Sequence, residues 1–260
     1  MQRRKANKIR KTKVAGEKGS EMSFWDHLDV LRWVIIRSGV VYVTISLSLF
    51  CLKKFLFNVV LAPANGDFII YRLFNVDFSL TLINIEIAAQ FLTHLKVAFI
   101  AGFVISFPYI AYELWTFISP ALYEKEKKIA VRVLVAAFFL FYAGVFIGYF
   151  LIFPLALNFF QDYSVSSLVS NTISLDSYIS LFFAMILLVG VLFEFPIVIY
   201  LLSMLGLVNR PMLRKYRRHA FVAAVILGVI ITSDPFSLSL VTGILYALYE
   251  VSIFICKKGS

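Results

Sequence analysis

Residues 112–128 read YELWTFISPALYEKEKK and form a short polar segment between two long apolar ones. The segment carries an aromatic cluster, three acids and three lysines: Trp115, Phe117, Tyr123, Glu113, Glu124, Glu126, Lys125, Lys127 and Lys128. A loop that joins two membrane helices needs charge to stay in water and a residue that ends the helix, here Pro120. The segment has both and therefore predicts such a loop. It holds more acid than a connection needs, which makes it the first candidate for a binding function.

The composition of the chain requires a membrane. Of the 260 residues, 61% are hydrophobic and 15% are charged, and the mean hydropathy is +0.87. Soluble domains average about 45–50% apolar and about 25% charged residues. Residues 133–161 contain no Asp, Glu, Lys or Arg, and residues 177–209 contain only Glu194. Because a span needs about 20 mostly apolar residues, we predict an all-α integral membrane protein.

Six apolar stretches predict six transmembrane helices with both ends of the chain on one side. The stretches cover approximately residues 33–52, 91–111, 130–152, 178–202, 220–232 and 238–254, and the last two are short. We expect residues 1–22 to be a disordered basic tail and residues 23–257 to be a single membrane domain. Of the 25 Lys and Arg, 21 fall on the side that holds both termini. Basic residues accumulate on the cytoplasmic side, so topology, rather than nucleic-acid binding, explains the net charge of +10.

Local patterns refine the ends of the spans. Residues 23–37 predict an amphipathic helix at the interface that leads into the first span. Its apolar stripe consists of Phe24, Leu28, Leu31 and Ile35. Residues 55–90 predict an outer segment of short helices or strands lying against the bilayer. Pro108 should kink the second span and Pro154 should end the third, which leaves residues 155–178 as a second outer loop.

Glu194 is the most informative single residue, because it lies in an apolar stretch, GVLFEFPIV, next to Pro196. A charged side chain near the bilayer centre costs about 2.5–3.5 kcal/mol on insertion scales. The carboxyl group is therefore protonated, faces a wet cavity or meets a partner. A functional role in proton relay or substrate contact and a structural role as a neutral, hydrogen-bonded carboxyl both stay open.

The acids on the cytoplasmic side form a second candidate site: Asp26, Asp29, Glu113, Glu124 and Glu126. They are either solvated loop charges or a receptor for a basic peptide. A carboxylate can bind a guanidinium through two hydrogen bonds, so two or three acids suit a pair of arginines.

Enzymatic and metal-binding motifs are absent from the sequence. It contains no HExxH, Walker A or GxSxG pattern, and its three histidines lie far apart. Cys51 and Cys256 are placed at opposite faces, so we do not expect them to pair. We predict a protein that is not an enzyme and carries no cofactor or metal.

Taken together, these residues resemble the TatC family, the polytopic subunit of the twin-arginine protein translocase. Four motifs carry the resemblance. They are Phe24-Trp25-Asp26-His27-Leu28-Asp29-Val30-Leu31-Arg32, the stretch from Pro108 through Trp115, Phe117 and Ser119-Pro120-Ala121-Leu122-Tyr123 to Glu126, Phe193-Glu194-Phe195-Pro196, and Arg214-Lys215-Tyr216-Arg217-Arg218. The second motif is highly specific, and the others gain weight from their order and spacing.

The resemblance implies a concave, glove-like, six-helix protein of the cell inner membrane with both termini in the cytoplasm. It implies a receptor for the twin-arginine signal peptides of folded cargo, which recruits the single-span proteins TatA and TatB, self-associates in a larger complex and uses the proton-motive force. The implied peptide-binding residues are Glu126, Phe117, Asp29, Asp26, Leu31 and Arg32, and the implied intramembrane acid is Glu194. Residues with implied structural roles are Pro63, Pro108, Pro120, Tyr123 and Asp234.

Two positions depart from the family pattern. Val30 stands where the family usually has Glu, which leaves the second acidic contact open, with Asp29 and Asp26 as the candidates to replace it. Leu238 stands where a Gln is often found. Two other functions remain as hypotheses. One is a small proton-coupled secondary transporter that uses Glu194, and the other is a structural scaffold without a peptide site.

Overall fold

The computed structural model describes residues 24–74, 78, 80–118, 127–164, 166, 172–232 and 235–256. The predicted basic tail lies outside these residues. The helices are α1 (Phe24–Phe50), α2 (Lys53–Leu61), α3 (Ile69–Phe74), α4 (Ala89–Ile118), α5 (Lys127–Ile147), α6 (Phe153–Asp162), α7 (Leu175–Leu192), α8 (Phe195–Met204), α9 (Arg210–Lys215), α10 (Arg217–Ile231) and α11 (Pro235–Ile255). A 3₁₀ turn (Ala62–Ala64), a π turn (Gly148–Ile152) and two short strands, β1 (Leu82–Ile83) and β2 (Ile173–Ser174), complete the described elements.

Five helical stretches in the described residues have the length and apolarity to cross a membrane. They are Leu28–Phe50, Ala89–Phe117, Val131–Asp162, Leu175–Met204 and Pro235–Ile255. Large apolar side chains point outward from them; Phe139 is 73% exposed and Phe254 is 69% exposed. The prediction of an all-α membrane protein with lipid as solvent is confirmed.

The two predicted short spans differ from each other in the structure. The fifth is α10, with 15 residues and a length of about 22 Å, less than a hydrocarbon core of about 30 Å. The prediction that the sixth is also short is wrong. Helix α11 begins at Pro235 and runs for 21 residues, because proline is tolerated at the first position of a helix, where its missing N–H has no partner. A total of six spans remains a prediction.

The third span does not end at Pro154, contrary to the sequence prediction. The chain passes through the π turn Gly148–Ile152 and continues as α6 to Asp162. Proline fits here because it lies in the first turn of α6, after the π turn has already changed the hydrogen-bonding register. Pro108 also lies inside a continuous helix, α4.

The outer segment contains short elements, as expected, and they join the two outer loops. Strand β1 pairs in parallel with β2, with Leu82 opposite Ile173. The Tyr178 hydroxyl donates to the carbonyl of Val60 at 2.9 Å, and Lys96 on α4 binds Asp176 and Ser180. These contacts hold α2, α4 and α7 together around the largest buried cluster among the described residues.

Helices α5 and α7 pack closely because glycines lie at their contact. A Cβ atom on Gly144 would lie 2.9 Å from the Cα atom of Gly190 and 2.9 Å from the carbonyl oxygen of Val189. One turn later, a Cβ on Gly148 would lie 3.1 Å from the Cα atom of Ile186. Gly144 and Gly148 form a G-x-x-x-G pattern, whose small residues let helix backbones approach within a membrane.

We expect Gly144→Ala to destabilise the protein by about 1–3 kcal/mol, because the added methyl group would meet backbone atoms that cannot rotate away. Unfolding of the purified protein in detergent measures the effect. Gly243→Ala is the matched control, since a Cβ there meets no atom within 4 Å. Equal stabilities of the two variants would contradict the close contact between α5 and α7.

Candidate functional site

The C-terminal end of α4 is fixed by an aromatic anchor. Trp115 is buried against Val133 of α5, and partly buried residues of α5 and α8 surround this pair: Leu134, Ile197, Tyr200, Leu201 and Met204. Phe117 is half-buried and lies two residues further on, about 200° around the helix from Trp115. The anchor therefore positions the start of the acidic loop. Residues 119–126, with Pro120, Tyr123 and Glu126, lie outside the described residues.

Glu113 lies within the helix rather than in the loop, which corrects the predicted boundary. Helix α4 runs to Ile118, seven residues beyond the predicted end of this span. Glu113 is only 6% exposed and accepts a hydrogen bond of 2.8 Å from the Tyr109 hydroxyl. Because residues four apart share a helix face, Tyr109 satisfies the carboxyl group and the helix can continue past it. Glu113 is therefore not a solvated loop acid.

The start of α1 lies at the same end of the protein as Phe117. Helices α1 and α4 are antiparallel neighbours: Tyr42 packs against Phe99 at 6.0 Å, and Phe50 packs against Phe91 at 6.3 Å between ring centroids. The residues implied for peptide binding on α1 therefore reach the same surface. Asp29 and Arg32 are exposed and Leu31 is half-buried, while the side chain of Asp26 lies outside the described residues.

Glu194 occupies a break between two helices rather than a position in an unbroken span. Helix α7 ends at Leu192 and α8 begins at Phe195. The Glu194 N–H donates to the Val191 carbonyl at 3.0 Å, three residues back, which tightens the turn. Pro196 explains the break, because it lies in the first turn of α8 and supplies no N–H to α7.

The side chain of Glu194 is half-buried, and its Oε1 atom is buried without a hydrogen-bond partner among the described residues. The structural interpretation required a hydrogen bond from a neighbouring helix, and the described residues supply none to this atom. An unsatisfied carboxyl oxygen inside a membrane protein favours the functional interpretation.

Two residues with implied structural roles have clear positions. Pro63 is buried, and its carbonyl accepts a hydrogen bond of 3.0 Å from Tyr71. Pro108 is half-buried in α4, whereas Asp234 lies outside the described residues. Sequence reasoning missed the Tyr109–Glu113 pair and the close contact of Gly144 with Gly190. The i,i+4 spacing and the G-x-x-x-G pattern were the signals that could have found them.

These features define the class: a multi-pass, all-helical membrane protein with a broken helix at an intramembrane acid. Comparisons with known proteins narrow it. Residues 26–243 match the family described as "Sec-independent protein translocase protein (TatC)". The TatC of Blattabacterium sp. subsp. Periplaneta americana (strain BPLAN) is 38% identical, over 91% of this chain and 95% of the relative. That of Escherichia coli (strain K12) is 32% identical, over 89% and 86%.

A solved structure of similar shape carries the description "Twin Arginine Translocase Receptor- TatC in DDM". It superposes with a TM-score of 0.74 at 31% identity and covers 89% of this chain and 99% of the solved one. The chain belongs to the TatC family. It is therefore a core subunit of the Sec-independent, twin-arginine protein translocase, a family whose members are translocase components and receptors rather than catalysts.

Proposed function

We propose that this chain is the subunit that binds the twin-arginine signal peptides of folded proteins at the cytoplasmic face of the cell inner membrane. The single observation that carries the proposal is the meeting of the start of α1 and the end of α4 at one end of the protein. This end presents Asp29 and leads directly into the loop with Glu126. In the proposed topology the chain crosses six times and both termini are cytoplasmic.

Each proposed contact follows from the chemistry of the peptide. Glu126 takes one guanidinium of the arginine pair through two charge-assisted hydrogen bonds. Asp29 or Asp26 takes the second guanidinium in place of the acid missing at Val30. Phe117 and Leu31, both half-buried, contact the apolar part of the peptide. Arg32, which follows Leu31 and is exposed, is the remaining proposed contact.

The remaining translocase functions require partners. We propose that TatA and TatB, single-span proteins, assemble on the membrane-embedded surface and that copies of this chain associate in a larger complex. The apolar side chains exposed along the spans provide surface for such helix packing. Glu194, at the α7–α8 break, is the proposed intramembrane functional acid, and the proton-motive force is the proposed energy source.

One observation also bears on the transporter hypothesis. Secondary transporters build their binding sites from discontinuous helices, and α7–α8 is discontinuous at Glu194. Such a transporter would move a small solute with protons through the purified chain alone. Membership of the TatC family favours the translocase function instead.

Photocrosslinking tests the receptor function directly. A twin-arginine signal peptide with a photoreactive side chain next to the arginines should label the detergent-solubilised full chain at the inner ends of α1 and α4. A peptide with two lysines is the matched control, and we expect about tenfold weaker labelling, because lysine cannot form the bidentate contact. Equal labelling by both peptides, or labelling only at the outer ends, would refute the proposed site.

A further inference from the structure

An apolar groove opens between α8, α9, α10 and α11 at the inner end of the protein. Its volume is about 370 Å³, which is within the range of small-molecule sites, about 300–1,000 Å³. The walls are the side chains of Leu192, Phe195, Leu213, Tyr216, His219, Ala220, Ala223, Ala224, Leu227, Leu245, Leu248 and Tyr249. None of the proposed peptide contacts or the acid Glu194 is among them.

The framework of the groove is held by specific contacts. The Tyr249 hydroxyl donates to the Leu213 carbonyl at 2.7 Å, which fastens α11 to α9. Phe195 stacks on Tyr249 with 6.3 Å between ring centroids, which fastens α8 to the same helix. Three of the residues with which α10 lines the groove are alanines, Ala220, Ala223 and Ala224. Their small side chains leave the space of the groove open.

The dimensions of the groove match one leaflet of a bilayer. Its lining runs from Tyr216, just before α10, to Leu227. These residues are eleven helical steps or about 16 Å apart, and half of a hydrocarbon core is about 15 Å. A groove of this length with a mostly apolar lining suits an extended hydrocarbon chain.

Three basic residues neighbour in sequence the residues that line one end of the groove, and we call them the basic rim: Arg214 and Lys215 stand between Leu213 and Tyr216, and Arg218 directly precedes His219. Arg214, Lys215 and Arg218 are exposed, and no ion pair joins them to any acid in the part of the chain that the structure describes. The acid in the neighbouring turn of α11, Glu250, is already bound by Arg217 at 2.6 Å and by the Tyr246 hydroxyl at 3.1 Å. Residues 206–219 contain no acid, so the rim has uncompensated positive charge.

We infer that this groove binds an anionic phospholipid of the inner leaflet. One acyl chain lies along Ala220, Ala223 and Leu227, and the phosphate lies at the rim of Arg214, Lys215 and Arg218. Basic pockets between membrane helices on the cytoplasmic side bind anionic head groups in this way. Helix α10 by itself is too short to match the hydrocarbon thickness of the bilayer. A bound acyl chain also supplies apolar material beside this short helix.

Native mass spectrometry of the purified, delipidated full chain tests the inference. The protein is titrated with phosphatidylglycerol or phosphatidylcholine of the same acyl chains, and retained lipid is counted. Each basic side chain near the membrane surface contributes about fivefold to the binding of an anionic lipid. We therefore expect the triple variant Arg214→Gln, Lys215→Gln, Arg218→Gln to bind phosphatidylglycerol about 100-fold more weakly and phosphatidylcholine unchanged.

Two matched controls distinguish the effect of the basic side chains on lipid binding from the effect of the space in the groove. The double variant Lys53→Gln, Lys54→Gln removes exposed basic residues at the other end of the protein and should leave retention unchanged. Ala223→Phe fills the groove and should weaken retention of both lipids about tenfold, because the acyl chain loses its place. Val229→Phe adds the same bulk to an exposed position of α10 outside the groove and should have no effect.

Three results would overturn the inference. One is equal retention of both lipids by the unaltered protein, and another is retention of phosphatidylglycerol by the triple variant at the level of Lys53→Gln, Lys54→Gln. The third is an Ala223→Phe protein that changes its oligomeric state while keeping its lipid, which would assign the groove to a second copy of the chain. No peptide is present in these measurements, so they are independent of whether signal peptides bind.

Discussion

Glu126→Arg is expected to abolish binding of the twin-arginine signal peptide while the protein still inserts in the membrane. The substitution removes a charge-assisted hydrogen bond worth about 1.5–3 kcal/mol and adds repulsion between like charges. The expected loss of peptide affinity is therefore more than about 100-fold. Peptide crosslinking to the purified protein measures binding, and export of a twin-arginine cargo measures function. Glu126→Ala should give the same direction with a smaller effect.

Glu124→Arg is the matched control for this prediction, because Glu124 lies two residues earlier in the same loop and is not a proposed contact. It should retain most of the peptide binding. Normal export of cargo by Glu126→Arg would show that the loop does not receive the arginine pair. The same conclusion would follow if accessibility labelling of a cysteine at position 126 placed it on the outer side of the membrane.

Glu194→Lys is expected to block assembly with the partner subunits and to stop export, whereas Glu194→Ala retains much more of both. The carboxyl group can become neutral by taking up a proton, and alanine is always neutral, but lysine brings a charge that costs about 2.5–3.5 kcal/mol at this depth. The Oε1 atom of Glu194 has no hydrogen-bond partner among the described residues that would offset such a cost. Native electrophoresis of the complex and cargo export measure the two effects.

Glu86→Lys is the control for the change of charge, because Glu86 is exposed in the outer segment. It should assemble and export normally. A Glu194→Lys protein with normal assembly would assign Glu194 to a wet surface that tolerates either charge. If Glu194→Ala were as defective as the lysine variant, the carboxyl group itself would be required for proton transfer.

Several features of the fold were predictable because they depend on composition along the chain. The uncharged stretches at residues 133–161 and 177–209 require lipid around them wherever their neighbours lie. Proline patterns were less reliable. Pro154 was expected to end a helix, yet it lies in the first turn of one, where a missing N–H costs nothing. The effect of a proline depends on where a helix begins, which local composition does not specify.

The candidate site also combines features that were predictable from the sequence with features that were not. The acids at positions 29, 113 and 126 were visible in the sequence, and their charge alone suggested a basic ligand. The sequence did not show which of these acids are exposed and which are buried. Glu113 is buried with Tyr109, whereas Asp29 is exposed, because burial depends on the helices that pack around each residue.

The sequence by itself determined the solvent of this protein and the family to which its motifs belong. These properties are sums or short patterns along the chain, and packing does not change them. Only the tertiary structure decided that Gly144 meets Gly190, that the fourth span breaks at Glu194, whose Oε1 atom has no hydrogen-bond partner among the described residues, and that Tyr249 and Leu213 join two helices at an apolar groove. Such contacts join residues far apart in the chain, so they depend on the shapes of packed helices.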